Sequence, residues 1–443
     1  MSTTIHATPS LPTVSIVPLR QGLSSTGGTM EVMVRVAAPA QPATATVRPA
    51  LRLALVIDRS GSMSGKPLEE AKRCIEHIVT RLQPSDSVAV VAYDNQVHTP
   101  VPMQPASTNQ AMLSAIREME SGGSTDLLAG WEAGAKQLEA GQSNTVSRVI
   151  LLSDGQANAG LTDASQIFRH CADWLSKGVT TTTVGLGRGF NEDLMVGMAT
   201  AGGGQHYYGE SADDLYDGFD EELSLLKSLC LRRLRVKPVA APGVIAEPLG
   251  LVTRTAEGWV SLSDLAWGSE AFLMLRLHVP AQVSGEMTLL AVTLEAQDEQ
   301  GQAISLHASP LVLPVVSPDR LLQLPVDGTI QSRLREVEFA ELSARARQMV
   351  RQGQVREAQA ELTRARERFH DQPWIIGKLD RLQELLDRDA EFASKEMHYS
   401  AMKMSKRLAS VDEACFSADE MESVEVPAFL RRKLEEGRGR RRS

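Results

Sequence analysis

"LALVIDRSGSMSGKPLEEAK", residues 53–72, decides how the chain is read. An apolar run ends in Asp58, Ser60 and Ser62 follow at alternate positions, and a helical pattern begins after Lys66 and Pro67. A continuous apolar run of this length fits a strand covered on both faces, as in a parallel sheet. Further apolar runs at 87–93, 147–153 and 179–184 alternate with helical patterns near 67–82, 109–119, 125–139, 163–176, 190–200 and 211–227. This alternation predicts an α/β fold with a doubly wound, mostly parallel sheet. The run 96–102, close behind 87–93, predicts an antiparallel edge strand.

Open α/β sheets bind ligands outside the carboxyl ends of their strands. Asp58 ends one predicted strand, and Asp154, in "VILLSDGQAN" (149–158), ends another. A third segment, "SGGSTDLLAG" (121–130), places Thr125 and Asp126 at a helix start behind a glycine turn. Hydroxyls and carboxylates therefore gather on one sheet edge. Such a set suits a hard cation, since Mg²⁺ takes oxygen ligands in octahedral geometry and keeps several waters. The hydroxyls of Ser60, Ser62 and Thr125 are candidate direct ligands, and Asp58 and Asp154 either bind the ion or hold its waters. These loops contain no Cys or His, which argues against zinc. The competing reading is that Asp and Ser here cap the next helix, with Ser64 as a further candidate. A cap needs one such residue, not Asp58, Ser60 and Ser62 together. Arg59 is either an exposed loop residue or a positive charge beside the ion that favours acidic ligands.

On these motifs the chain resembles the von Willebrand factor A domain family. Asp58-Arg59-Ser60-Gly61-Ser62 matches the family's D-x-S-x-S motif, Thr125 falls on its second metal loop, and Asp154 falls on its third. The later "TTTVGLG" and "MATAGGGQHYY" segments are also similar to this family. The resemblance implies a metal-ion-dependent adhesion site made by Asp58, Ser60, Ser62, Thr125 and Asp154. Mg²⁺ is the implied ion, with Mn²⁺ and Ca²⁺ as alternatives. It further implies a protein partner that offers an Asp or Glu to the ion.

Outside this unit, residues 12–38 hold two strand-like runs ahead of a Pro/Ala-rich linker, "PAQPATATVRPA". From 231 onward, strand-like runs recur at short spacing, which predicts a β-sandwich. The sandwich is short of strands unless the N-terminal runs complete it, so the α/β domain is expected to be inserted in, or followed by, the sandwich. From 328 to 395 the pattern is helical, with a turn at Gly353-Gln354 and small residues Ala340, Ala344, Ala358 and Ala365 on shared faces. This pair resembles one tetratricopeptide-type hairpin without a second copy at the expected period. A hairpin buttressing the β domain is the simpler reading than a peptide-binding solenoid. The expected organisation is N-terminal strands over 1–46, the A domain over 47–228, the sandwich over 229–318, a helical region over 319–415 and a disordered basic tail over 416–443.

Composition sets the outer limits. A chain of 443 residues with 42% hydrophobic and 23% charged residues has ample material for globular cores. A net charge of −9 disfavours nucleic acid as partner. No run of about 18 apolar residues suggests a membrane span. The N-terminus lacks a signal-peptide pattern and the four cysteines form no C-x-x-C pair, so reduced thiols and a cytoplasmic location are expected.

"GSMSG" (61–65) is not a nucleophile elbow because Met63 occupies its centre, and "GLGRG" (185–189) lacks dinucleotide-loop spacing. The nine histidines are scattered; His206 reads as an edge-strand residue, and Trp259 and Trp267 as sandwich core. Val426–Arg432, within "VEVPAFLRRK" (424–433), resembles the C-terminal recognition peptide of the bacterial tubulin-like division protein, with local packing as the plainer reading. The sequence therefore points to a non-enzymatic, metal-dependent protein-binding scaffold. The architecture resembles intracellular bacterial A-domain proteins and inter-α-trypsin-inhibitor heavy-chain-like proteins. That resemblance implies AAA+ ATPases, kinases or defence-system components as partner classes. A scaffold whose metal only stabilises the fold is the alternative. A metal-assisted hydrolase is the remoter one, since Asp94, Asp126 and Asp163 read as caps or loop residues.

Overall fold

The computed structural model describes residues 12–40, 48–107, 109–139, 145–187, 189–209, 211–252, 254–405 and 409–410. The expected tail 416–443, the peptide Val426–Arg432 and Cys415 lie outside them, as does most of the Pro/Ala linker. The described chain falls into two units: residues up to 40 together with those from 229 onward, and residues 48–228.

The second unit is the α/β domain. Its six-stranded sheet runs in the order Val97–Pro105, Ser87–Tyr93, Ala50–Asp58, Thr145–Ser153, Val179–Leu186, Gly203–Gly209. All neighbours are parallel except the edge strand Val97–Pro105. The chain builds outward from Ala50–Asp58 to one side and then from Thr145–Ser153 to the other. The strand order thus reverses between these two strands, which carry Asp58 and precede Asp154. That is the position where a doubly wound sheet opens a crevice for a ligand. Leu53, Leu55, Ile57, Val149 and Leu151 are fully buried, as their uninterrupted apolar runs require.

The helix Leu127–Lys136 starts directly behind Thr125 and Asp126. Asp126 accepts the Ala129 amide at 3.1 Å and so caps it. Gly130 and Gly134, one turn apart, let this helix lie against the sheet. A Cβ on Gly130 would overlap the Tyr93 ring, and one on Gly134 would overlap Val56. The helix Ala164–Ser176 is capped by Asp163, which accepts the Gln166 amide at 2.9 Å. A buried ion pair of Arg148 with Glu222, joined by Thr182 and the Tyr207 hydroxyl, ties the helix Tyr216–Lys227 to the sheet.

The first unit is a β-sandwich with helices. One sheet has the order Thr13–Pro18, Gly28–Ala37, Ser269–Val279, Ile245–Pro248. Gly28–Ala37 pairs with Ser269–Val279 along its whole length, so the N-terminal strands complete the sandwich. The other sheet centres on Leu229–Ala240, Glu286–Gln297 and Leu311–Val316. Their inner faces share a core that includes Val34, Val236, Leu275, Leu290 and Leu294. Trp267 packs against that core, but Trp259 does not. Contrary to expectation, Trp259 is half-buried outside that core, its ring covered by the Arg235 and Lys237 cations.

The helical part is larger than one hairpin. Gly328–Arg351 and Val355–Arg368 are followed by Pro373–Arg388 and Ala390–Ser405, and the last packs along the first. Phe339, Leu362, Phe369, Ile375, Leu379 and Met397 form the common core of this four-helix group. Its first helix buttresses the sandwich through Ile330 and Val337, which pack with Met33 and Met274. Arg333 bonds Glu336 at 2.9 Å and Glu270 of the sheet at 3.3 Å, both carboxylates being buried.

Alanine is favoured over glycine inside a helix by about 1 kcal/mol. At Gly130 that gain meets the Tyr93 ring, and overpacking costs about 1–3 kcal/mol. Gly130→Ala is therefore expected to lower stability, read as an earlier urea unfolding midpoint; a later midpoint would contradict the packing.

Candidate functional site

Asp58, Ser60, Ser62, Thr125 and Asp154 come from three loops that main-chain and side-chain hydrogen bonds join. The first and second loops are joined by Gly61 N donating to Gly123 O at 2.9 Å and Gly122 N to Arg59 O at 2.7 Å. The second and third are joined by Thr125 N donating to Asn158 Oδ1 at 2.8 Å, and by Asn158 N and Ala159 N donating to Thr125 O. The first and third meet where Ser153 Oγ donates to Asp58 Oδ2 at 2.6 Å. Three chain segments far apart in sequence thus converge on one edge of the sheet, at the reversal of strand order.

Asp58 is wholly buried. Its Oδ1 accepts the Ser60 amide at 2.9 Å, and its Oδ2 accepts the Tyr93 hydroxyl at 3.3 Å beside Ser153. Burial raises its carboxyl above the usual carboxylate range, the bonds from Ser153 and Ser60 oppose this, and the neighbouring Asp154 carboxylate adds to the rise. Tyr93 stays a protonated donor: burial first, and then the Asp58 charge, push its hydroxyl well up. Asp154 Oδ1 accepts the Gln156 amide at 3.1 Å, and its carbonyl accepts from Asn191 at 2.7 Å.

The hydroxyls are placed differently from helix caps. The helix Lys66–Val79 is preceded by Gly65 and has no side-chain cap at all. The short turn Gly61–Met63 behind Ser60 also lacks a side-chain cap bond. Ser60 Oγ and Ser62 Oγ instead lie 3.2 Å from each other. Thr125 is 1% exposed, and its Oγ1 has no hydrogen-bond partner among the described residues. A buried hydroxyl left in this way costs free energy unless something else takes its lone pair. The capping alternative therefore does not account for these residues.

A hard cation fits this set. It supplies neutral hydroxyl oxygens and two carboxylates, with no sulfur or imidazole, which is the donor chemistry of Mg²⁺, Mn²⁺ or Ca²⁺. Among the described residues, no group of three or more His, Cys, Asp and Glu is placed to hold a metal.

Arg59 departs from the first of its two sequence readings. Its guanidinium pairs with buried Asp94 at 2.8 Å, so it is not a solvated loop residue. Tyr93 and Ser153 are not among the sequence candidates, and Asp94, read there as a cap or loop residue, bonds Arg59 and the Gly123 amide. Tyr93 and Ser153 are the last residues of their strands, and only the sheet register shows that they face Asp58.

Residues 53–220 match the model of the von Willebrand factor type A domain. An uncharacterised protein of Synechocystis sp. is 25% identical over 352 residues, covering 75% of this chain and 83% of that protein. YfbK of Escherichia coli is 29% identical over 178 residues, and an inter-alpha-trypsin inhibitor heavy chain of Homo sapiens is 28% identical over 185. The matched region spans only 31% and 21% of those two proteins. A von Willebrand factor type A structure from Catenulispora acidiphila superposes with a TM-score of 0.69 at 16% identity, covering 90% of this chain and 98% of that one. An ArnB paralog from Sulfolobus acidocaldarius gives 0.60 at 18%, covering 89% and 99%. At these identities the two structures share the fold.

Thr125→Val keeps the branched shape and removes the unpartnered hydroxyl. In EDTA it is expected to leave urea stability unchanged or raise it by about 1 kcal/mol, since no hydrogen bond is lost. A loss of more than about 1 kcal/mol would mean that the hydroxyl has a structural partner.

Proposed function

This chain carries a von Willebrand factor type A domain over residues 53–220, and we propose that it works there as a non-enzymatic, metal-dependent protein-binding scaffold. A-type domains mediate protein–protein interaction, and the finer reading is that this one captures an acidic side chain through Mg²⁺. The observation that carries it is the buried Thr125 hydroxyl without a partner, in a loop bonded through its main chain to the one whose two serine hydroxyls cap nothing.

In this reading Ser60, Ser62 and Thr125 hold the cation, and Asp58 and Asp154 balance its charge directly or through water. When bound, the cation supplies a Lewis-acidic position open to a carboxylate of a partner protein. Neutral hydroxyls leave more of the positive charge uncompensated than a cage of carboxylates would, which favours an anionic ligand. Ser153 and Tyr93 keep the Asp58 carboxylate aimed by donating to the same oxygen. The non-enzymatic reading is supported by the engagement of the nearby carboxylates: Asp126 and Asp163 cap helices, and Asp94 pairs with Arg59.

Among the described residues, no helix is long and apolar enough to cross a membrane. A cytoplasmic location is supported by Cys74, Cys171 and Cys230, all buried free thiols.

The test is a pull-down from the source cell with wild-type protein and an Asp58→Ala/Ser60→Ala variant, each in Mg²⁺ and in EDTA. A partner retained only by wild type in Mg²⁺ is expected, with purified partner losing binding when the responsible Asp or Glu is replaced by alanine. A partner set indifferent to the variant and to EDTA would contradict the proposal.

A further inference from the structure

We propose that the Arg59–Asp94 ion pair is a positioning device for the cation site, a clamp that fixes where the Thr125 hydroxyl stands. The inference rests on the metal reading above. Neither residue belongs to the proposed ligand set.

Asp94 follows the strand Ser87–Tyr93 and is 3% exposed. Its Oδ2 accepts Arg59 Nη2 at 2.8 Å and Gly123 N at 3.3 Å, and its Oδ1 accepts Gln96 N at 2.7 Å. Its carbonyl accepts Asp126 N at 2.9 Å. Asp94 therefore holds the second loop on both sides of Thr125. Arg59 holds the same loop from the other direction. Its carbonyl accepts Gly122 N at 2.7 Å, its Nη1 donates to Glu120 O at 3.4 Å, and its own amide donates to Tyr93 O at 2.8 Å.

The sequence is adapted to this contact. A Cβ on Gly122 would overlap the Asp94 carboxylate, and one on Gly123 would overlap the Asn95 side chain. The paired glycines are what let the turn come this close. Thr125 has no side-chain hydrogen bond of its own to hold its rotamer. Its position depends on its backbone, and that backbone is gripped by the Arg59–Asp94 pair on one side and Asn158 on the other. Groups that orient metal ligands in this way commonly change metal affinity about 10–100-fold when lost.

The test titrates the full-length protein with MgCl₂ by calorimetry and records its melting temperature in EDTA and in Mg²⁺. The variants are Arg59→Met, Arg59→Lys and Arg59→Met/Asp94→Asn, with Thr125→Val as the ligand control. Arg59→Met is expected to weaken Mg²⁺ about tenfold or more and to shrink the Mg²⁺-dependent rise in melting temperature, with Arg59→Lys recovering part of the affinity. The double variant removes both charges, so no unpaired buried carboxylate remains to unfold the domain, and it is expected to bind Mg²⁺ as weakly as Arg59→Met. If wild type binds Mg²⁺, Thr125→Val does not, and both Arg59→Met and the double variant bind like wild type, the clamp is overturned while the metal reading stands. A lower melting temperature in EDTA with unchanged Mg²⁺ affinity also overturns it, as that is the mark of a purely structural pair. Failure of wild type to bind Mg²⁺ overturns both.

Discussion

The site is organised by a carboxylate buried at the tip of a central strand. Taking an ionised carboxyl out of water costs several kcal/mol unless neighbours compensate. Asp58 has none of the exposure that would relieve that cost. Its two oxygens instead collect donors from three elements: the Ser60 amide of its own loop, the Tyr93 hydroxyl of one adjacent strand and the Ser153 hydroxyl of the other. These bonds set the registration of the loops at the reversal of strand order. The remaining electrostatic deficit is visible in the raised carboxyl of Asp58 and in the closeness of Asp154. A divalent cation is the addition that would offset both.

The surrounding fold serves that registration. The helix behind Thr125 lies against Tyr93 and Val56 because Gly130 and Gly134 carry no side chain. The Tyr93 ring it presses on ends in the hydroxyl that meets Asp58. Packing of the helix, orientation of the tyrosine and orientation of the carboxylate are therefore one chain of contacts. The Arg59–Asp94 pair adds a second chain, from the first loop through the glycine turn to the threonine. The sandwich unit solves a separate problem. Its strands before residue 40 are paired with strands after 268, so the chain must leave the sandwich and return to it.

Much of this could be read from the sequence because it lies in local pattern. Apolar runs ending in Asp58 and at Ser153-Asp154, and helices between them, follow from periodicity alone. Asp58, Ser60, Ser62 and Asp154 follow from residue type at strand ends, and Thr125 from residue type at a helix start behind a glycine turn. What could not be read depends on register or on tertiary proximity. Tyr93 looks like one more apolar strand residue until the sheet places it beside Asp58. Arg59 and Asp94 are far apart in sequence, and no spacing announces their ion pair. Trp259 reads as core by its type, yet it sits under Arg235 and Lys237, just before the short strand Val260–Ser261 at the sheet edge. The second helical pair, Pro373–Arg388 and Ala390–Ser405, lacks repeat similarity to the first and shows itself only through their common core.

The central claim is that hydroxyls from the first and second loops ligate a divalent cation. A crystal soaked in MnCl₂ and measured at the manganese anomalous edge tests it most directly. The account predicts one strong anomalous peak at the carboxyl end of the sheet, bonded to Ser60 Oγ, Ser62 Oγ and Thr125 Oγ1 at distances near the ~2.1 Å of a hard octahedral cation. A crystal with no peak there, or with the peak on other residues and the Thr125 hydroxyl hydrogen-bonded within the protein, would contradict it.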